Sequence, residues 1–214
     1  MDKGYNILLV NGSPHSKGCV ARAFDELERT LNENGVATTR INIGNKNIRG
    51  CIACNFCRTH GKCVFDDAVN ETAPLLAEAD GLIVGTPVYY AGPNGQLHAF
   101  LDRLFYSTSG SVDCNQKIGA TVVSSRRAGS TSAFDDLNHF FTMNSMPVVS
   151  STYWNEVHGF TAEDVESDLE GLQTIRNLGR NAAFLVKAIR AQKERDGLPV
   201  QEHEHFTSFF AERR

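Results

Sequence analysis

Short, nearly continuous apolar runs alternate along this chain with amphipathic segments, and this alternation limits the fold more than any other feature. Residues 5–10, 80–86 and 118–124 form such runs, which are typical of strands buried on both faces of a parallel sheet. Between them, apolar side chains recur at spacings of three and four residues, as amphipathic helices require. Repeated strand–helix alternation predicts an α/β fold: a three-layer sandwich around a five-stranded, doubly wound parallel sheet.

The same patterns predict the remaining elements and the division of the chain. Further strands are expected at 36–43 and near 147–152, and helices at 68–79, from Asn94, at about 132–141 and at about 162–192. We expect one domain over residues 1–195, with a cysteine-rich insertion at about 44–67. A C-terminal tail at 196–214 would follow, which either packs around a second subunit or is frayed.

Composition narrows the class of partner. The chain has 214 residues, is 41% hydrophobic and carries a formal net charge of −4 without any long basic run. Such a chain is not built to neutralise nucleic-acid phosphates or an anionic membrane surface, so a small-molecule partner is expected. No apolar stretch is long enough to cross a membrane, and the polar start is unlike a signal peptide, so a cytoplasmic location is expected.

In an open parallel sheet, ligands bind beyond the carboxyl ends of the strands. The loop after the first strand reads Gly12-Ser13-Pro14-His15-Ser16-Lys17-Gly18. It joins a strand to a helix N-terminus, where free backbone amides, hydroxyl groups and the helix dipole together favour a phosphate. Its glycine spacing matches neither the dinucleotide motif nor the P-loop. An ordinary Gly-Ser-Pro turn is the alternative.

Two other loops at this edge carry suitable side chains. The loop after the third strand combines a rigid proline with aromatic and glycine residues, which suits close approach to a flat heterocycle: Pro87, Val88, Tyr89, Tyr90 and Gly92. The loop after the fourth strand offers Ser125, Arg126, Arg127 and Gly129, where guanidinium groups suit a negatively charged cofactor or its phosphates. Tyrosines packed under the next helix and ordinary surface arginines are the alternatives. Trp154 is expected at the end of the fifth strand, lining the site, packed on the last helix or at a subunit contact.

The cysteines form the sharpest pattern. Cys51, Cys54, Cys57 and Cys63 follow the spacing C-x2-C-x2-C-x5-C in one predicted loop, which indicates metal or redox chemistry rather than disulfide bonds. Four thiolates from one loop could hold a [4Fe-4S] cluster. A four-cysteine zinc site is a second alternative, although structural zinc usually takes two well-separated pairs. A loop without any metal is the third.

Three motifs occur together and in order: Asn11-Gly12-Ser13-Pro14-His15, the cluster Cys51 to Cys63, and Gly85-Thr86-Pro87-Val88-Tyr89-Tyr90 before Asn94. In this combination, over roughly residues 5–160, the chain resembles the NADPH-dependent FMN reductase and iron-sulfur flavoprotein branch of the flavodoxin-like superfamily. The resemblance implies a flavodoxin-like sandwich that binds FMN without a covalent bond. It implies that Ser13, Ser16 and Gly18 bind the FMN phosphate, and that His15 and Cys19 also belong to the cofactor-binding residues. The isoalloxazine edge would lie against Pro87, Val88, Tyr89, Tyr90 and Gly92. One departure is visible, because family phosphate loops often carry Asn-Thr where this chain has Cys19-Val20.

The leading functional hypothesis is an FMN-dependent oxidoreductase that transfers electrons from NAD(P)H to a small-molecule acceptor such as a quinone, free flavin, azo compound or metal ion. The catalytic residues stay unassigned, because the chemistry would be that of the flavin, which needs no protein nucleophile, and no hydrolytic triad is evident. The alternative is an iron-sulfur flavoprotein that takes single electrons from a ferredoxin-like donor. A third hypothesis is a flavodoxin-like binding or regulatory module without turnover. The resemblance also suggests a homodimer or homotetramer.

Overall fold

The computed structural model describes residues 4–205 and 207. Its sheet has five parallel strands in the order β2-β1-β3-β4-β5, which confirms the predicted fold class. The strands are β1 (Tyr5–Asn11), β2 (Val36–Asn42), β3 (Gly81–Pro87), β4 (Ile118–Ser125) and β5 (Glu156–His158).

Helices cover both faces of this sheet. They are α1 (Cys19–Glu33), α2 (Phe56–His60), α3 (Ala68–Glu78), α4 (Gly95–Thr108), α5 (Ser130–Met143), α6 (Ala162–Ser167) and α7 (Leu169–Asp196). Alternate residues of β1 point to opposite faces, so that Ile7 packs with α1 and α7 while Leu8 packs with α3, α4 and α5. The sheet therefore separates two apolar cores, as expected for strands buried on both faces.

The predicted position of the fifth strand was wrong. In the 147–152 segment only Val148 bridges the sheet, opposite Gly119, and β5 pairs with β4 from Glu156 onward. Val149 is buried, which explains why the apolar run resembled a strand. Residues 150–154 loop out before the chain returns to the sheet, so Trp154 lies before β5 and not after it.

The predicted single closing helix is two helices. Asp168 ends α6 and caps α7, since its Oδ1 accepts a hydrogen bond from the Gly171 backbone N–H at 2.9 Å. Its Oδ2 also accepts from the backbone N–H of His158, at 2.6 Å. This carboxylate therefore attaches the start of α7 to the last strand, a contact that helical spacing alone does not encode.

The segments outside the sheet also differ in detail from the predictions. The cysteine-rich segment contains the short helix α2, which was not predicted. The helix α7 extends to Asp196 and is followed by Gly197 with φ +84°. The described part of the tail lies against the loop before β4, where Asn115 donates to the Pro199 carbonyl at 3.3 Å. The rest of the predicted tail, Phe206 and residues 208–214, falls outside the described residues.

Within the described ranges, 4–205 and 207, the structure contains no helix with both the length and the apolar character needed to cross a membrane.

Candidate functional site

A cleft of about 850 Å³ opens at the carboxyl edge of the sheet. The strand order changes direction between β1 and β3, which is where open α/β sheets bind ligands. Ten of the predicted cofactor-binding residues line this cleft: Ser13, His15, Ser16, Gly18, Cys19, Pro87, Val88, Tyr89, Ser125 and Arg126. The volume lies within the range usual for small-molecule and cofactor sites.

The loop after β1 is shaped by its own hydrogen bonds. Asn11 Oδ1 accepts from the Ser13 N–H at 2.9 Å, and Ser13 Oγ accepts from the His15 N–H at 3.2 Å. Gly18 stands at the N-cap of α1, with no side chain capping the helix and no acidic residue in its first turn. The uncapped amides and the positive end of the helix dipole therefore border the cleft, which is an arrangement that attracts anions.

The loop after β5 supplies a wall of the cleft that the sequence analysis missed. Residues 159–163 line the cleft. Because the fifth strand was predicted at 147–152, the loop after it was expected in an earlier segment. Cys19 Sγ donates to the Thr161 carbonyl at 3.2 Å and lies 3.5 Å from the Gly159 carbonyl. Burial raises the pKa of the Cys19 thiol, and the carboxylates of Asp164 and Glu163 raise it further against an opposing backbone hydrogen bond. Cys19 thus acts as a protonated donor that joins α1 to this loop.

The four other predicted residues, Tyr90, Gly92, Arg127 and Gly129, are not among those that line the cleft. Tyr90 is fully exposed at a tight turn closed by paired backbone hydrogen bonds between Tyr89 and Gly92, at 2.9 and 3.0 Å. Gly129 has φ +89°, and a Cβ there would approach the Cα of Ala91 to 2.9 Å. Gly92 and Gly129 therefore shape the turns behind the cleft, and Arg127 is exposed beside them.

The side chain of Ser125 is the clearest sign that the cleft is built for a polar ligand. Ser125 is only 4% exposed, and its Oγ has no hydrogen-bond partner within the described part of the chain. Asn155 Oδ1, just before the edge strand β5, and Glu156 Oε2, at the first residue of that strand, share this condition. Because an unpaired buried hydroxyl is costly, a ligand atom is the natural partner for Ser125. The uncapped helix end and this hydroxyl fit the phosphate and polar edge of a flavin nucleotide.

The four clustered cysteines line a second, smaller pocket beside α4, together with Arg103 and Tyr106. All four are free thiols. Ala53 and Asn55 hold left-handed backbone conformations, with φ of 52° and 58°. The Ala53 N–H reaches Cys51 Sγ at 3.4 Å. The local backbone thus turns tightly between successive cysteines and brings their side chains to one pocket.

Arg103 closes the inner side of this cysteine pocket. It is 1% exposed and donates to both carboxylate oxygens of Asp67, at 2.7 and 3.0 Å. It also donates to Cys63 Sγ through Nε and Nη2, at 3.3 and 3.2 Å. Burial opposes the guanidinium charge, but the hydrogen bonds from Arg103 to Asp67 and Cys63 raise its pKa above the usual value. A fixed positive charge therefore touches one of the four sulfurs.

The donor set suits an iron-sulfur cluster, because four cysteine thiolates are its usual ligands. The pocket encloses only about 20 Å³, room for about one water molecule, so the four thiols do not surround a space as large as a cluster. Among residues 4–205 and 207, no three or more His, Cys, Asp or Glu side chains are grouped to hold a single metal ion. The fit consequently rests on the chemistry and convergence of the thiols.

Comparison with known proteins agrees with this geometry. The family model for NADPH-dependent FMN reductase matches residues 5–161. An iron-sulfur flavoprotein of Methanocaldococcus jannaschii is 34% identical over 86% of this chain and 98% of its own length. Another, from Methanosarcina thermophila, is 28% identical over 87% of this chain and 97% of its own.

The solved structures give the same fold. A WrbA-like flavodoxin from Agrobacterium tumefaciens superimposes with a TM-score of 0.62 at 17% identity, covering 86% of this chain and 98% of that one. This likeness confirms the flavodoxin-like architecture, and the family match and the archaeal relatives confirm the resemblance drawn from the three motifs. The chain belongs to the NADPH-dependent FMN reductase family.

Proposed function

We propose that this protein, a flavoprotein oxidoreductase by its family, binds FMN in the cleft at the carboxyl edge of the sheet. The observation that carries the proposal is the uncapped N-terminus of α1 facing a cleft lined by Ser125, whose buried hydroxyl has no hydrogen-bond partner among the described residues. Both features favour a ligand that is anionic at one end and polar along one edge. FMN meets both requirements, with its terminal phosphate and its heterocyclic ring.

In this proposal each loop has a separate task. The backbone amides of the first turn of α1, which follows the Gly18 N-cap, hold the phosphate, and the Ser13 and Ser16 hydroxyls lie in the preceding loop. Pro87, Val88 and Tyr89 bring backbone and an aromatic ring to the other end of the cleft. Arg126 supplies positive charge at its rim. FMN, when bound, supplies the hydride and single-electron chemistry.

NAD(P)H is the electron donor that the family description favours. The acceptor would be a small molecule such as a quinone, a free flavin, an azo compound or a metal ion. The cleft supports this use because it is lined by polar and apolar groups from four loops and remains open at the carboxyl edge. A homodimer or homotetramer remains our expectation for the assembly.

A second candidate function is favoured by the cysteine pocket. Four thiols from one loop line that pocket, and the 34% identical relative that matches nearly end to end is named an iron-sulfur flavoprotein. We infer that Cys51, Cys54, Cys57 and Cys63 would hold a [4Fe-4S] cluster, which supplies one-electron chemistry. Electrons would then arrive singly, from a ferredoxin-like donor. The two candidates share the flavin site and differ in the electron source.

One experiment tests both candidates. The protein is purified without oxygen and supplied with FMN, iron and sulfide, after which bound flavin, iron and acid-labile sulfide are measured per chain. NADPH or NADH is then mixed with the sample while the flavin absorption is followed. Bleaching by either nucleotide supports the reductase, and about four irons per chain support the cluster.

The opposite results are equally informative. Failure to retain FMN would overturn the assignment of the cleft. Retained FMN that is bleached by dithionite but by neither nucleotide would remove the NAD(P)H-dependent reductase. If no iron were retained as well, a non-catalytic flavodoxin-like module would be the remaining candidate.

A further inference from the structure

We propose that Arg103 is a positioning residue of the cysteine pocket, which holds the sulfur of Cys63 and raises the reduction potential of a cluster bound there. This inference rests on the proposed [4Fe-4S] site. It assigns a role to a side chain of α4, outside the cysteine-rich segment itself, that no spacing in the sequence reveals.

The guanidinium of Arg103 uses two of its edges for two different partners. One edge, formed by Nη1 and Nη2, faces the carboxylate of Asp67, and the other, formed by Nε and Nη2, faces Cys63 Sγ. Nη2 also donates to the Phe65 carbonyl at 3.2 Å. An arginine needed only to neutralise Asp67 would use just the first edge. The second edge instead directs charged N–H donors at the Cys63 sulfur.

The surroundings keep Arg103 from turning away. Asp67 is itself fixed, because its Oδ1 caps α3 by accepting from the Val69 N–H at 3.1 Å. The ring of Phe65 lies 5.1 Å from the guanidinium carbon, as in a cation–π contact. Nη1 also donates to the Arg49 carbonyl at 3.3 Å. The planar fork is therefore oriented by protein contacts before any cluster binds.

This arrangement makes the pocket electrostatically uneven. Among the described residues, the hydrogen bond that Cys51 Sγ accepts comes from the Ala53 backbone N–H. Cys57 Sγ lies 4.0 Å from the Tyr106 carbonyl, to which it can only donate. Within the described part of the chain, only Cys63 of the four touches a charged donor. Hydrogen bonds to ligand sulfurs, and positive charge beside them, stabilise the more negative reduced form of a cluster and so raise its potential.

The test is the midpoint potential of the reconstituted cluster in Arg103→Lys. Lysine keeps the positive charge but cannot form the two-edged contact with Asp67 and Cys63. We expect about four irons per chain, as in the parent, with reduction disfavoured about tenfold, a lowering of about 59 mV for a one-electron couple. Arg49→Lys is the matched control, because Arg49 lies over the same Phe65 ring at 4.6 Å without a hydrogen bond to sulfur. Its potential should equal that of the parent.

A second comparison keeps the inference testable if Arg103→Lys does not fold. The double variant Arg103→Gln, Asp67→Asn removes both partners of the ion pair. It is compared with the single variant Asp67→Asn, which keeps the α3 cap because asparagine caps a helix as well as aspartate does. The double variant should have the lower potential of the two, because only it lacks the guanidinium.

The outcomes separate this inference from the function on which it rests. A parent protein that retains no iron would overturn both. A parent with about four irons, and a potential unchanged in Arg103→Lys or equal in the two Asp67→Asn proteins, would overturn the role of Arg103 while leaving the cluster site in place.

Discussion

At the scale of single residues, Ser125 links the stability of the flavin-free protein to ligand binding. Its buried Oγ lacks a partner among the described residues, so Ser125→Ala removes an unsatisfied polar group from the protein prepared without FMN. We expect its free energy of unfolding to stay equal or rise slightly. The affinity for FMN should fall, by about threefold to tenfold, because the variant loses one hydrogen bond worth roughly 1 kcal/mol. Thermal unfolding and titration of the flavin-free protein with FMN measure the two effects.

Ser130→Ala is the matched control for this prediction. Ser130 is similarly buried but begins α5 and does not line the cleft. The control should bind FMN like the parent. Equal affinity in the parent and in Ser125→Ala would mean that the hydroxyl does not face the ligand.

Gly129 is a residue whose backbone, rather than its side chain, serves the cleft. With φ +89° and Ala91 only 2.9 Å from the place of an added Cβ, Gly129→Ala forces the loops after β3 and β4 apart. We expect a loss of about 1 to 3 kcal/mol in unfolding free energy, together with weaker FMN binding, because Val88 is displaced with its loop. Urea denaturation and FMN titration check this. Gly95→Ala, where an added Cβ meets nothing within 4 Å, should be harmless in both assays.

At the scale of secondary-structure elements, Glu26 joins α1 to α7. It is 7% exposed and accepts hydrogen bonds from Arg176 of α7 at 2.8 Å and from Arg29 at 2.6 Å, with Arg22 also in contact. Burial raises the pKa of this carboxyl, but the hydrogen bonds from Arg176, Arg29 and Arg22 outweigh it and lower the pKa to about 2, from an ordinary 4.5. A carboxyl with a lowered pKa stabilises the fold above its unfolded pKa, and that stability is lost as the pH falls from about 4.5 to about 2.

Glu26→Gln should therefore lose roughly 2 to 3 kcal/mol of unfolding free energy at neutral pH. Because the variant has no carboxyl to protonate, the difference from the parent should shrink as the pH falls from about 4.5 to 2. Urea denaturation at a series of pH values measures this. Glu33→Gln removes a more exposed carboxylate whose partner in the described part of the chain is Arg29, and it should change stability by less than about 1 kcal/mol. A constant Glu26→Gln difference across the acid range would contradict the linkage.

The elements that the sequence predicted correctly are those with a local signature. The strands β1, β3 and β4 are continuous apolar runs, and α1 carries a regular apolar stripe, so each could be recognised alone. The last strand could not, because Val149 is as buried as Val157, and only pairing with β4 distinguishes them. The break at Asp168 depends likewise on the His158 backbone, a partner that is local in space but belongs to another element.

At the scale of the whole molecule, the site was predictable where strand order determines it. Parallel strands bring the loops after Asn11, Pro87 and Ser125 to one edge whatever their detailed conformation, and ten of the fourteen predicted cofactor-binding residues line the cleft there. The wall at 159–163 was missed together with the true β5. The position of Arg103 beside a cysteine could not be predicted, because a single arginine in an amphipathic helix gives the same sequence pattern whether it faces solvent or a thiol.

The arrangement of the two apolar cores also predicts that the fold does not depend on the cysteine pocket. Both apolar cores are formed by the sheet and its helices, and of the four clustered cysteines only Cys63 packs against either core. A triple variant, Cys51→Ser, Cys54→Ser, Cys57→Ser, should therefore unfold within about 4 °C of the parent, which corresponds to roughly 1 kcal/mol for a chain of this size. It should still bind FMN but retain no cluster. This behaviour would differ from that of small zinc domains, which unfold without their metal.

Cys114→Ser provides the contrast for that prediction. Cys114 lies in the apolar core that faces α3, α4 and α5, and burial raises the pKa of its thiol to about 11. A serine there buries a hydroxyl in an apolar setting, so this single change should cost about 1 to 3 kcal/mol, more than the three exposed or half-exposed replacements together. Thermal scans of the flavin-free proteins rank the variants. If the triple variant lost FMN binding or unfolded far below Cys114→Ser, the cysteine pocket would be a structural part of the flavin site. The coupling would then have to pass along the chain through Gly44, which precedes the cysteines and packs on the backbone of Ser13 in the loop after β1.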